Sequence, residues 1–351
     1  MTLRVAHPYL HTRVSLMAER LLDRDQAARA LEQPRDALAA LFQRCGAARM
    51  LEGEGDESRR SMEQRRLSLL LEDVVILSRA LSGRSREFLL YWTRLFELIN
   101  LKAIVRGRIA GQDRAEIRRQ LLDMGPFSTL PADDLLRAEN AAEMLRRLEG
   151  TAYAEIAGQA RRVLEQRRDL FFLDTTFDRR FFGGLARRAH ALRTHDRAGL
   201  EEILAALIDG TNLTWLLRYR FVYRVAPAEA YFLLIPGGYR LRGAVLRELA
   251  SKDSLEAALA ALPPPLARRT RGCTSIEEVN ARMARWLRRA CLRVLRRSPS
   301  GFVRAFAYLL LRERDLRVLR GIAKGEQLGV SLATRRQALR LREPDEEARH
   351  A

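Results

Sequence analysis

The chain writes one segment twice. NLKAIVRGR runs from Asn100 to Arg108, and NLTWLLRYR runs from Asn212 to Arg220, 112 residues later. Both place Leu after Asn, apolar residues at the fourth and fifth steps, and arginine at the sixth and eighth. A third, looser copy, DLRVLRGIAKG, begins at Asp315. Five residues before the Asn or Asp, and one and four after it, all three copies are apolar: Leu95, Leu101 and Ile104; Leu207, Leu213 and Leu216; Leu310, Leu316 and Leu319. Self-similarity at a period near one third of the chain constrains the fold more than composition does, because each copy must then be one structural unit.

Each copy lies late in a long amphipathic stretch, and the rest of the chain is written in the same style. Leu, Ala, Arg and Glu dominate, and apolar residues recur at three and four steps, as in Leu67, Leu70, Leu71, Val74 and Val75. FVYRV and YFLLI read as a helix end and a helix start around Pro227 rather than as strands. Breaks are expected at 53–58, 125–131, 182–184, 236–238, 263–265 and 298–301, and the tail after Leu341 is polar. The fold class is therefore all-α. A second landmark, Pro8-Tyr9, Pro126-Phe127 and Gly238-Tyr239, recurs in step with the first. Together they divide the chain into three similar helical domains, residues 1–122, 123–235 and 236–341, followed by a polar tail, 342–351.

Asparagine is a poor helix-interior residue, since its amide competes for backbone partners. Its repetition at Asn100 and Asn212, with Asp315 in the third copy, points to a specific hydrogen bond between elements or to a polar cavity. Arg106, Arg108, Arg218 and Arg220 then fall at helix C-termini, where the dipole favours cations. They form a candidate basic rim facing a partner.

Chemistry is absent where an enzyme should show it. Gly183-Gly184 and Gly237-Gly238 stand outside any phosphate-loop pattern. His7 and His11, and His190 and His195, lack the carboxylates and spacing that a metal requires. Asp133-Asp134 and Glu201-Glu202 read as helix N-terminal charges. Cys45, Cys273 and Cys291 are odd in number, lack CxxC spacing and read as structural thiols in a reducing compartment. No catalytic, cofactor or metal residue and no small-molecule substrate is expected. MTLRVAHPYLHTRV is not a signal peptide, and no apolar run approaches the roughly 18 residues of a membrane span.

The formal charge is +19, and only three of the 63 basic residues are lysines. Such a field favours an anionic partner: an acidic protein surface, an anionic membrane face or nucleic acid. A basic helical nucleic-acid-binding protein is the alternative reading. Against it, the aromatics Phe88, Tyr91 and Phe96 sit in apolar stripes, not among exposed basic residues where bases would stack.

The segments PYLHTRVSLMAERLL, INLKAIVRGRIAG, DGTNLTWLLRYR, IPGGYRL and RERDLRVLRGIAKGEQLGV occur in an order and spacing that resemble the C subunits of archaeal and bacterial A/V-type rotary ATPases, the counterparts of the vacuolar ATPase d subunit. The resemblance covers roughly residues 8–330. It implies three helical domains around a pseudo-threefold axis, forming a funnel. It also implies a non-catalytic rotor subunit that joins the central stalk to the membrane proteolipid ring and passes torque between ion flux and ATP. Its place would be peripheral, on the cytoplasmic face of the membrane. The third copy departs from the pattern, with Asp315 in place of Asn and Arg320 one step earlier than Arg106 and Arg218.

Overall fold

The computed structural model describes residues 8–32, 35–51, 59–167, 170–192 and 194–339. Among them are eighteen α-helices and two 3-10 turns, with no strand. The chain divides into two compact units, Met1–Ser82 with Cys291–Ala351, and Gly83–Ala290.

The first unit is built on the Gly301–Gln327 helix, against which Pro8–Ala18 and Arg59–Arg79 pack. Ser300 starts this helix by accepting from the Val303 amide at 3.2 Å, satisfying one of the orphan donors of the first turn. Phe302, Val303, Ala305, Phe306, Ala307, Tyr308 and Leu309 follow with all of their side chains buried. A helix apolar on every face is a core helix. The two helices packed against it bring the buried side chains Leu10 and Val14, and Leu70, Val74 and Leu77.

In the second unit, Gly83–Ile109, Leu170–His190 and Thr194–Phe221 are the long helices. Leu213, Leu216, Leu217, Leu241, Leu249, Leu266, Val279 and Trp286 form part of one continuous core. Expected breaks at 125–131 and 236–238 fall between α-helices, those at 263–265 and 298–301 run into the first turns of Pro264–Thr270 and Gly301–Gln327, and Phe221 and Pro227 end and begin helices as expected. The 53–58 break and the tail lie outside the described residues.

The break expected at 182–184 does not exist. Leu170–His190 runs straight through Gly183-Gly184. A Cβ at Gly184 would stand 2.0 Å from the Tyr91 hydroxyl, so the glycine is there to admit that ring. Tyr91 stacks on Phe181 with centroids 5.4 Å apart and donates to the Phe181 carbonyl at 3.1 Å. Glu201 and Glu202 also differ from expectation. They lie inside Thr194–Phe221, where Glu201 pairs with Arg197 one turn back at 2.6 Å. Asp133 and Asp134 do sit in a helix first turn.

Candidate interface at the repeated helix ends

Both repeated asparagines clamp backbone. Asn100, buried in Gly83–Ile109, donates to the Leu122 carbonyl at 2.7 Å and accepts from the Leu122 amide at 2.8 Å. Asn212 does the same to Ile235, at 3.0 and 2.8 Å. One side chain thereby satisfies both polar groups of a buried residue that has left its helix, which a carboxamide can do and a carboxylate cannot. Asp315 keeps half of this function. Its carboxylate accepts from the Leu22 amide at 2.9 Å. The partner lies 22 or 23 residues downstream in the first two copies, but 293 residues upstream in the third.

The aromatic landmark tracks this clamp in two copies only. Phe127 and Tyr239 follow Leu122 and Ile235 by five and four residues, whereas Tyr9 precedes Leu22 by thirteen. Pro8-Tyr9 instead opens the Pro8–Ala18 helix, where proline is suited to the first turn.

One turn before each clamp stands a buried charged residue. Glu97 accepts from the amides of Thr129 and Leu130 and from the Tyr153 hydroxyl. Burial, reinforced by this carboxylate, pushes the Tyr153 phenol well above its ordinary range, so Tyr153 stays a donor. Asp209 accepts from the amides of Tyr239, Arg240 and Leu241, at 2.9, 2.8 and 3.4 Å. Burial raises its carboxyl above the usual value against those three bonds. In the third copy the sign is inverted. Arg312 donates to the carbonyls of Cys45 and Gly46 at 2.7 and 3.2 Å, and to Asp73 at 3.2 Å.

The four rim arginines divide into two pairs. Arg108 donates to the carbonyls of Ala138 and Glu139 at 2.6 and 2.9 Å, where the Ala132–Arg137 helix ends. Arg220 donates to Ala250 at 2.5 Å, Val225 at 2.8 Å and Lys252 at 3.4 Å, where Gly243–Ala250 ends. Each caps orphan carbonyls thirty residues further on. Arg106 and Arg218 point outward. Arg106 pairs with Asp174 while its side chain stays 56% exposed, and Arg218 is exposed.

Sequence reasoning missed what surrounds them. Ile109, Val222 with Tyr223, and Leu328 are exposed, and each lies at or just past the end of one of the three helices that carry the clamps. Exposed apolar side chains beside arginines have the composition of a protein interface core. Ile109 directly follows Arg-x-Arg, whereas Val222, Tyr223 and Leu328 carry no such local mark.

No group of three or more His, Cys, Asp and Glu able to hold a metal occurs among the described residues. Cys45 and Cys291 are buried and Cys273 is half-buried, and none of the three is in a disulfide. Burial pushes the thiols of Cys45 and Cys273 up, away from reactivity. No helix among the described residues is long and apolar enough to cross a membrane.

The sequence profile of the ATP synthase (C/AC39) subunit family matches residues 10–337, nearly the whole chain that bears these clamps. This chain belongs to that family. Among similar proteins, the A-type ATP synthase C subunit of Halobacterium salinarum is 27% identical over 263 residues, covering 71% of this chain and 72% of the relative. The protein of the same name from Methanosarcina mazei is 21% identical over 340 residues, covering 93% of this chain and 90% of its own length. That of Thermococcus onnurineus is 27% identical over 262 residues, covering 72% and 66%. Membership agrees with the resemblance read from the repeated segments and with the all-α architecture.

Proposed function

We propose that this chain is a non-catalytic coupling piece of an A-type rotary ATP synthase, joining the central stalk to the membrane proteolipid ring and passing torque between them. The observation that carries the reading is the set of helix ends. Each of the three long clamped helices is fixed internally by its Asn or Asp and terminates in exposed apolar side chains. In two of them Arg106 or Arg218 is also presented outward. Fixed helices suit an element under load, because close-packed interiors transmit strain instead of absorbing it. Arginine beside exposed apolar residues suits docking onto an acidic protein surface, steered by charge and weakened by salt. In this reading Arg108 and Arg220 shape the rim, and Arg106 and Arg218 meet the partner.

The same reading takes the chain as three related helical repeats about a pseudo-threefold axis, the third closed by the segment ending at Leu22. The protein would sit peripherally at the cytoplasmic face of the membrane and carry no cofactor.

The test is affinity capture of the tagged protein from its own solubilised membranes at low salt with nuclease present, read by mass spectrometry. Central-stalk proteins and ring proteolipid should be recovered together. Arg106→Glu with Arg218→Glu should abolish stalk recovery while leaving the circular dichroism spectrum unchanged. Undiminished recovery with the double variant would remove these arginines from the interface. Recovery of neither partner, with salt-sensitive nucleic acid retained when nuclease is omitted, would overturn the coupling role.

A further inference from the structure

A cavity of about 370 Å³ opens in the first unit, and four arginines converge on it from four separate elements. Arg20 follows the Pro8–Ala18 helix, Arg44 ends Arg35–Arg44, Arg49 sits in the Ala48–Met50 turn, and Arg312 rises from the middle of Gly301–Gln327. Two carboxylates, Glu72 and Asp73, line the same cavity. Two positive charges are therefore in excess.

The floor is fixed. Arg312 is 1% exposed and is held by Asp73 and by the carbonyls of Cys45 and Gly46. Tyr308 donates to the same Asp73 oxygen at 2.8 Å. Gly46, with φ of +56°, turns the chain over this floor. From the point where a Cβ of Gly46 would stand, Arg20 Nε is 3.7 Å away and Arg312 Nη2 3.8 Å. Two guanidinium groups are thus drawn together over one turn.

The rim is looser. Arg20 and Arg44 are exposed. Arg49 meets Glu72 at 2.5 Å, but both side chains are about half exposed, so solvent screens the pair. Like charges gathered in a concave site repel one another more than the same charges spread over helix faces, and a bound anion relieves that repulsion. Guanidinium forks match phosphate oxygens two at a time. At roughly 30 Å³ per water, the cavity has room for about a dozen waters, which is ample for two linked phosphates.

We propose that this basin binds a diphosphate group, with Arg312 as its fixed floor and Arg20, Arg44 and Arg49 closing over the ligand. The site is independent of the rim arginines and of the coupling role. Free inorganic diphosphate and the diphosphate of a nucleotide offer the basin the same oxygens, and the experiment separates these two sources.

The full chain is titrated calorimetrically with inorganic diphosphate and, separately, with ADP, at constant ionic strength near about 0.15 M. One-to-one saturable binding is expected. Arg20→Gln with Arg44→Gln should weaken it at least about tenfold, from the loss of two charge-assisted contacts. Arg86→Gln with Arg114→Gln, which removes the same charge elsewhere, should leave it unchanged. ADP binding as tightly as diphosphate would make a nucleotide the source, and weaker ADP binding would make it the free anion. No saturable binding of either ligand, or equal weakening by both double variants, overturns the proposal. All four substituted arginines are exposed, so folding is preserved, and circular dichroism checks this.

Discussion

Replacing Asn212 with alanine removes a single side chain that serves both backbone groups of Ile235. Asn212 and Ile235 are both 0% exposed, so no solvent replaces the lost bonds. An orphaned buried donor or acceptor costs about 1–3 kcal/mol, and this substitution orphans one of each. The expected loss is therefore about 2–6 kcal/mol, a large part of the roughly 5–15 kcal/mol that holds a domain together. Because the chain has two compact units, a single global midpoint would blur the effect. Amide hydrogen exchange followed peptide by peptide resolves it. The peptide containing Ile235 should exchange about 30-fold faster or more in Asn212→Ala, since 1.4 kcal/mol corresponds to about tenfold. Peptides from Arg59–Arg79, in the other unit, should be unaffected. Asn212→Asp keeps an acceptor for the Ile235 amide but sets a carboxylate against its carbonyl, and should not restore protection. If the Ile235 peptide in Asn212→Ala exchanges within about twofold of the parent, the clamp is not what secures this loop, and the account of the repeated asparagines fails.

Three further outcomes are expected. Gly184→Ala should destabilise the second unit by about 1–3 kcal/mol through overpacking against Tyr91, and adding Tyr91→Phe should recover part of that loss in urea unfolding. Arg220→Met should cost about 1–2 kcal/mol by uncapping the carbonyls of Ala250 and Val225, read as faster exchange after the Gly243–Ala250 helix. Although desolvation opposes it, the Glu63 carboxyl is held below its ordinary value by Arg66, with Arg320 and Arg317 adding to the effect. A depressed folded pKa contributes stability that is present above the unfolded value of about 4.3 and is lost as pH falls through the folded one. Glu63→Gln should therefore flatten acid unfolding of the first unit below about pH 4, and an unchanged profile would refute the assignment.

The clamps were legible in the sequence because asparagine inside a helical pattern is anomalous, and an anomaly repeated with its neighbours marks a function. The arginines were legible as helix-end residues, and Arg106, Arg108, Arg218 and Arg220 all occupy last turns. What two of them do there was not legible. Capping by Arg108 and Arg220 depends on where another helix stops thirty residues later, a relation with no local signature. A glycine pair such as Gly183-Gly184 suggests a break when only its own segment is considered, and only the position of Tyr91 reveals the close approach. The exposed Ile109, Val222, Tyr223 and Leu328 escaped notice because an apolar residue at a helix end looks the same whether a core or solvent lies beyond it. The inverted sign at Arg312 was hidden for a further reason: its partners Cys45, Gly46 and Asp73 are more than two hundred residues away in the chain.

The bond from Leu22 to Asp315 sets an order of events during synthesis. Asn100 and Asn212 can engage their loops as soon as some twenty further residues have left the ribosome. Asp315 must find a segment made long before it. Residues 83–290 are translated between the two parts of the first unit, which takes about 10–40 s at roughly 5–20 residues per second. Throughout that interval the helices bearing Leu10, Val14 and Leu70 have no Gly301–Gln327 helix to pack against. A segment made before residues 83–290 is thus finished only after them, and a nascent chain stalled before Phe302 would present an open apolar surface to chaperones.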